Sequence, residues 1–245
     1  QGTHIACPEC GADARFVSYR PCQVTTLMGD ALYERAYYHC SHCQHGHCPT
    51  DAEFGLEDKY TPGAEEVISL VGATAAFDEG SHVDLARLTG LTLSASSVQR
   101  ITESVGAEVA QRRAEGETFG SDEPWTWPPD ANGKTTASVG LDAISVRQQG
   151  PHAEPAEGRM PLVALVFRDN AQTTKPAHRG ARYVCGLVDL DAIGQQLRRE
   201  CLAVGIDRAD QVIALTDGGA GLEECLTTAL AGIVKHLIFI LVFWH

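Results

Sequence analysis

Positive charge is scarce in this sequence. Lys and Arg number 19 against 32 Asp and Glu, a formal net charge of −13 over 245 residues. That balance excludes a simple nucleic-acid coat protein, because phosphate binding of that kind is driven by Lys and Arg. Long apolar runs are also missing. The longest, Leu237 to Trp244, is eight residues, far short of the roughly 18 that a bilayer span needs. No export signal opens the chain, since Cys7 and Cys10 arrive before any apolar stretch, so a cytoplasmic location and no membrane partner are expected. The remaining composition, 44% hydrophobic and 21% charged, has enough apolar material to exclude disorder. The length suits one large domain or two to three small ones.

Cysteine, by contrast, is abundant and unevenly placed. Six of nine cysteines precede residue 50, in the order Cys7-Pro-Glu-Cys10-Gly, Cys22, Cys40-Ser-His-Cys43 and Cys48. Two C-x-x-C turns separated by a strand-rich stretch form the pattern of a zinc ribbon, each turn aiming two sulfurs at one tetrahedral ion. Ala14–Val24 and Ala31–His39 are expected as its strands, with Met28-Gly29-Asp30 as their turn. A disulfide framework would require an export signal and an oxidising compartment. The expected ligands are Cys7, Cys10, Cys40 and Cys43, although His39, His42, His45, His47 and Cys48 crowd the second pair and leave the set open. A closed four-thiolate site is structural, with no position left for substrate.

The segment 61–116 is expected to be helical. Thr61-Pro62 marks a helix start, followed by Val67, Leu70, Val71, Thr74 and Phe77 at helical spacing. Ser81-His-Val-Asp84 resembles a capping box opening a second helix that Gly90 ends. Ser94 caps a third, with Val98, Ile101, Val105 and Val109 on one face. The two helices around Gly90-Leu91-Thr92-Leu93 match a helix-turn-helix, or else a plain helical hairpin of a globular core. As DNA-reading residues, the opposite face of the third helix offers Ser96, Gln99 and Arg100 beside Glu103. Residues 117–136, with Trp125-Thr-Trp127-Pro-Pro, are expected as a linker whose tryptophans anchor it to a neighbouring domain.

From 137 to 245 the pattern is α/β. Expected strands are Ser138–Val146, Met160–Phe167, Tyr183–Leu187, Gln211–Leu215 and Leu237–Phe243, around a polar loop at 148–158. Helices follow Asp189 and cover about 222–231. The order β-β-β-α-β-α-β is that of an RNase H-like core, in which the first and fourth strands are neighbours. Asp142 on the first and Asp217 after the fourth would then approach each other and could hold Mg²⁺, which prefers oxygen ligands. Separately, each is an ordinary strand-edge or turn acid. A phosphatase reading, with Asp189-Leu-Asp191 as a nucleophile motif and Thr216 on a second strand end, leaves too little loop before the helix and lacks a downstream acidic pair. The fold class expected is therefore α+β multi-domain: zinc ribbon (1–60), helix-turn-helix (61–116), linker (117–136) and an incomplete RNase H-like core (137–245). No basic domain emerges, since these stretches carry 4 basic and 8 acidic, 4 and 8, and, for 117–245, 11 and 16 side chains. The local exception runs from Arg168 through Lys175 and Arg179 to Arg182, the candidate DNA contact together with Arg112 and Arg113.

This ordered set resembles bacterial insertion-sequence transposases of the DDE type, and among them the ISKra-type family. The pieces that carry the resemblance are Cys7-Pro-Glu-Cys10-Gly, Arg35-Ala-Tyr-Tyr-His-Cys40, Pro49-Thr-Asp51 with Gly55-Leu56, Leu88-Thr-Gly-Leu91, the Asp142 strand, Thr216-Asp217-Gly and Phe239 to His245. The resemblance implies binding of the element's terminal repeats in double-stranded DNA, attack on target DNA, and a homodimer bridging both ends. It also implies Asp142 and Asp217 as the first two acids of a Mg²⁺-dependent triad. Three departures stand out. Val242 occupies the place of an Asp, Ala143 that of a common Gly, and the third acid, a Glu, would lie beyond His245. Glu223 and Glu224 come too early to replace it and suit a helix start. The expectation is a truncated or decayed transposase that keeps its fold and DNA affinity. The alternative is a non-catalytic zinc-ribbon regulator or a domesticated remnant.

Overall fold

The computed structural model describes residues 2–56, 59–121, 123–147, 158–168 and 180–242. It is mixed α+β and divides into two compact units, Gln1–Val109 and Ala110–His245.

The first unit opens with a four-stranded antiparallel sheet: β1 (His4–Ala6), β2 (Asp13–Thr26), β3 (Gly29–Cys40) and β4 (Gly46–His47), in spatial order β1-β2-β3-β4. β2 and β3 form one long hairpin that turns at Leu27-Met28, slightly earlier than expected, because Thr26 and Gly29 still pair. The Asp30 carboxylate secures that end by accepting from Gln23 Nε2 (2.8 Å) and Thr25 Oγ1 (2.7 Å). The sheet buries very little. Its core is Cys7, Ala14, Ala36, Tyr38 and Cys40, with Ile5, Ala12 and Phe16 packed on it, while Tyr19 and Leu32 are exposed. So small a core is weak support for a structure this extended.

Helix α1 (Pro49–Glu53) follows, then α2 (Pro62–Thr74). Thr61 is the N-cap residue and Pro62 the first helical position, as expected. The Thr61 hydroxyl does not cap, however, and donates to the Thr25 carbonyl (3.5 Å), tying the helix start to the hairpin. The buried face of α2 is Ala64, Ile68 and Val71, so Leu70 points to solvent and Phe77 lies beyond the helix. Next come three contiguous helical pieces: α3 (Phe77–Glu79), a π-helical turn Gly80–Leu85, and α4 (Ala86–Thr89). Ser81 therefore does not open a helix. It is fully buried inside one, its hydroxyl donating back to the Asp78 carbonyl (2.9 Å). The helix ends at Gly90 in a left-handed conformation, as expected. Ser94 Oγ accepts from the Ser97 N–H (3.2 Å) at the start of α5 (Ala95–Ala114). Val98 and Ile101 of α5 join Ile68, Val71, Leu85 and Leu91 in a second small core.

In the second unit, β5 (Thr136–Ala143), β8 (Leu162–Phe167), β9 (Ala181–Gly186), β10 (Gln211–Thr216) and β11 (Leu237–Leu241) form one sheet. A separate short antiparallel ribbon pairs β6 (Val146–Arg147) with β7 (Gly158–Arg159). The sheet order is β11-β10-β5-β8-β9; β10 runs parallel to β5 and β11, and β8 antiparallel to β5 and β9. Strand alternation sends Val139, Leu141, Ala164, Val166, Val184, Val212 and Ala214 to one face, where Ile193, Leu197 and Cys201 of α6 (Leu190–Ala203) and Leu222, Leu226 and Leu230 of α7 (Leu222–Leu230) complete the core. Trp127 enters the same core, donating from Nε1 to the Gly205 carbonyl (2.9 Å), with Trp125 packed against it. The segment read as a linker thus contributes core side chains to this unit.

One buried ion pair crosses this core. Arg182 on β9 donates from Nη1 to Glu200 Oε2 on α6 (3.1 Å), with the two side chains 7% and 3% exposed. Removing one partner leaves an uncompensated buried charge, so Glu200→Ala is expected to destabilise the protein by about 3–5 kcal/mol in denaturant unfolding. The paired change Arg182→Met with Glu200→Leu should recover most of that loss. Equal losses for the single and double variants would refute the account.

Candidate metal centre and carboxylate pair

The four cysteines of the two C-x-x-C turns converge. The Sγ atoms of Cys7, Cys10, Cys40 and Cys43 all lie within 4.8 Å of one another, the one such cluster of potential metal ligands among the described residues. Cys7 Sγ is 3.6 Å from Cys43 Sγ, and Cys10 Sγ is 3.6 Å from Cys40 Sγ. These contacts cross between the turns. They are far longer than a disulfide bond of about 2.05 Å and close to the roughly 3.8 Å edge of a tetrahedron with Zn–S bonds of about 2.3 Å. The donor set therefore fits a four-coordinate metal such as zinc.

Backbone geometry builds the two turns alike. In the first, Gly11 donates to the Cys7 carbonyl (2.9 Å) and Cys7 to the Ala12 carbonyl (2.7 Å); in the second, Cys40 donates to the His45 carbonyl (2.8 Å). The residue after the second cysteine is left-handed in both, Gly11 at φ 71° and Gln44 at φ 61°. Glycine accepts that conformation readily and glutamine does not.

The thiols titrate apart. The Cys43 N–H brings the Cys40 thiol down to about 7 against burial, helped by the His42 N–H and the adjoining thiols. At Cys43 the His45 N–H is the largest single influence and lowers the value, but burial and the three other thiols outweigh it and raise it to about 12. Cys10 also lies above its ordinary value despite the lowering effect of the Ala12 N–H, through desolvation and the Cys40 and Cys7 thiols. Four adjacent sulfurs cannot all ionise without a cation among them. A bound divalent metal removes that conflict and displaces the protons.

Cys48 and the histidines stand outside the cluster. His45 and His47 stack with centroids 5.9 Å apart, and burial followed by the His45 charge lowers the His47 pKa. A feature that spacing did not reveal lies alongside. Arg35 on β3 forms a short ion pair with Asp51 on α1, which also accepts from the Tyr33 hydroxyl (3.4 Å). Asp51 holds the Arg35 guanidinium above its ordinary pKa, and burial, with Cys22 close by, pushes the Tyr33 hydroxyl up to about 12. Arg35 and Asp51 both fall in the segments that carried the family resemblance, which was the available signal.

The second unit carries Asp142 on β5 and Asp217 just past the end of β10, the neighbouring strand. The parallel register aligns Leu215 with Gly140, which sets Asp217 and Asp142 two residues further along at the same sheet end. Alternation puts Asp142 with Ser138 and Gly140, on the face away from α6 and α7. Asp142 Oδ1 accepts from the Ala143 N–H (2.7 Å), and Asp217 Oδ1 from the Gly219 N–H (2.8 Å). Asp189, the nucleophile of the phosphatase reading, instead caps α6 by accepting from the Ala192 N–H (2.8 Å). That bond commits its carboxylate to the helix start.

Of the DNA-reading candidates, Ser96, Gln99 and Arg100 are exposed on α5, with Gln99 Nε2 donating to Glu103 (2.8 Å). Arg168 lies at the end of β8. Arg182 is the buried partner of Glu200 rather than a surface cation. Lys175 and Arg179 lie outside the described residues, as does the chain end from Phe243 to His245. No helix of the described residues is long and apolar enough to cross a membrane.

The chain matches no protein-family model and no curated protein sequence.

Purified protein should contain one zinc ion per chain, measured by a colorimetric chelator after denaturation. Cys43→Ser should lose that ion, whereas Cys48→Ser should keep it. Mild acid should release the metal, because protons compete for the thiolates. Retention of stoichiometric zinc by Cys43→Ser would exclude the four-thiolate site. Gln44→Gly should raise the stability of the zinc-loaded protein by about 1 kcal/mol by relieving the left-handed strain, a gain visible in its thermal midpoint.

Proposed function

We propose that this chain is a DNA-handling protein of the insertion-sequence transposase type. Its first unit serves as a zinc-ribbon and helix-turn-helix recognition module for terminal repeats, and its second as an RNase H-like core. The observation that carries the reading is the sheet order β11-β10-β5-β8-β9, with β8 alone reversed. A first strand flanked by the second and the fourth is the arrangement expected of that core. Its register brings positions 142 and 217 to the same end of the sheet although 74 residues separate them in sequence.

In this reading Asp142 and Asp217 hold Mg²⁺, whose preference for oxygen suits a carboxylate pair. When bound, the metal supplies a Lewis acid that activates water and stabilises charge at a phosphodiester. The protein's own part is positional. The Ala143 and Gly219 N–H groups fix one oxygen of each carboxylate, and strand pairing fixes the spacing of the two backbones. DNA engages the exposed Ser96, Gln99 and Arg100 of α5, and a homodimer would bridge two DNA ends.

A second reading, a DNA-binding regulator without cleavage, is favoured by one fact. Among the described residues no cluster of three or more potential ligands includes Asp142 or Asp217. Both readings share the first unit and differ at the aspartates.

Titration with Mn²⁺, followed by water-proton relaxation, separates the two. Asp142→Asn and Asp217→Asn should each weaken Mn²⁺ binding at least about tenfold, the scale of losing one charged ligand. Binding of duplex DNA should persist in both variants. Unchanged Mn²⁺ affinity would remove the catalytic assignment and leave the regulator.

A further inference from the structure

On an acidic protein, one cleft of the second unit is lined by arginines and aromatic rings. It measures about 530 Å³, within the roughly 300–1,000 Å³ typical of small-molecule sites. Its walls include Arg113, Phe119, Trp125, Arg168, Arg182 and Tyr183. The guanidinium carbons of Arg112 and Arg113 lie 5.2 and 5.3 Å from the Phe119 ring centre, and that of Arg168 lies 5.6 Å from the Trp125 ring centre. Such cation–π contacts hold a guanidinium in place without neutralising it.

The arginines are not equivalent. Arg112 is paired with Glu117 through Nε (2.7 Å). Arg182 is committed to Glu200 and to the Ser121 carbonyl, and so forms part of the wall. Arg113 and Arg168 take part in none of the ion pairs among the described residues. Arg113 Nε is moreover buried with no hydrogen-bond partner. An orphaned donor of this kind is costly unless an acceptor arrives. Gly180 keeps the cleft open to Arg168: at φ 111° it is left-handed, and a Cβ there would stand 2.7 Å from Arg168 Nε. Tyr183, 47% exposed, presents an aromatic face at the rim.

We propose that this cleft binds an unpaired nucleotide, with its phosphate between Arg113 and Arg168 and its base stacked against Tyr183 and Trp125. Cations alone would suit any anion; the rings select one that carries a flat aromatic group. A base inside a duplex has both faces covered by its neighbours, so a single-stranded segment or a free nucleotide is the form that fits. The proposal deepens the DNA reading above and rests on it for the source of the nucleotide.

The test follows tryptophan fluorescence of the full chain during titration with an eight-residue oligothymidylate, with thymidine monophosphate, and with inorganic phosphate. Duplex binding is measured separately by gel shift. The oligothymidylate should quench the emission. Arg168→Gln should weaken its binding about tenfold, and Tyr183→Ala about fivefold. Two phosphate-neutralising cations predict a logarithmic salt slope of about −1.4 for a single strand, falling to about −0.7 in Arg168→Gln. Competition by the monophosphate at equal affinity would name a free nucleotide as the ligand, whereas much tighter oligonucleotide binding would name a strand; both support the cleft. Absence of quenching, an unchanged Arg168→Gln, or inorganic phosphate competing as well as the monophosphate would overturn it. Quenching that persists in a protein with no duplex binding would sink the transposase reading and leave the nucleotide site standing.

Discussion

Four sulfur atoms close the first unit. The β2–β3 hairpin is long but buries only a handful of residues, among them Cys7 and Cys40 themselves. Hydrophobic burial at this scale cannot hold two extended strands and two tight turns against chain entropy. What joins β1, the foot of the hairpin and the β3–β4 turn is the convergence of Cys7, Cys10, Cys40 and Cys43. Thiols packed this closely repel one another when ionised without a cation, so a metal bound among them would couple its own binding to folding. The rest of the unit leans on the same hairpin. Thr25 near its tip exchanges backbone hydrogen bonds with Lys59 and Thr61 at the start of α2, and Arg35 on β3 pairs with Asp51 on α1.

The second unit is organised differently, by alternation across a sheet. One face is filled by α6, α7 and Trp127 into a continuous core. The other carries Asp142, with the Asp217 turn at the same end. The apolar core and the Asp142 carboxylate therefore sit on opposite faces of the same strand. Val139 and Leu141 anchor the strand from which Asp142 projects, so its side chain is polar and exposed while its backbone is held rigid by its neighbours.

Much of this was legible in the sequence because the relevant signals are local. C-x-x-C turns, the Thr61-Pro62 helix start, Gly90, Ser94 and the Asp189 cap are each set by a few adjacent residues, and each appears at its expected place. The failures were also local signals, overridden by packing. Ser81 has the spacing of a capping box, but Phe77 and Gly80 begin the helix earlier and draw Ser81 into the interior. Leu70 has the right period but the wrong phase, since Ala64 and Ile68 define the buried side of α2. Arg182 looked like part of a basic surface segment, yet strand alternation turns it inward to Glu200.

The scarcity of positive charge takes on a different meaning in three dimensions. Counting side chains along the chain found no basic domain, because Arg113 and Arg168 are separated by 54 residues and are diluted by acids. Folding places both on one cleft with Phe119, Trp125 and Tyr183. The two C-x-x-C turns, the main strands and helices of the second unit, and the caps at Ser94 and Asp189 depend on residue type and short spacing, and could be read from the sequence. Which face Asp142 occupies and which arginines are neutralised come only from the folded arrangement. Those outcomes depend on strand pairing and burial between residues far apart in the chain, and no local pattern encodes them.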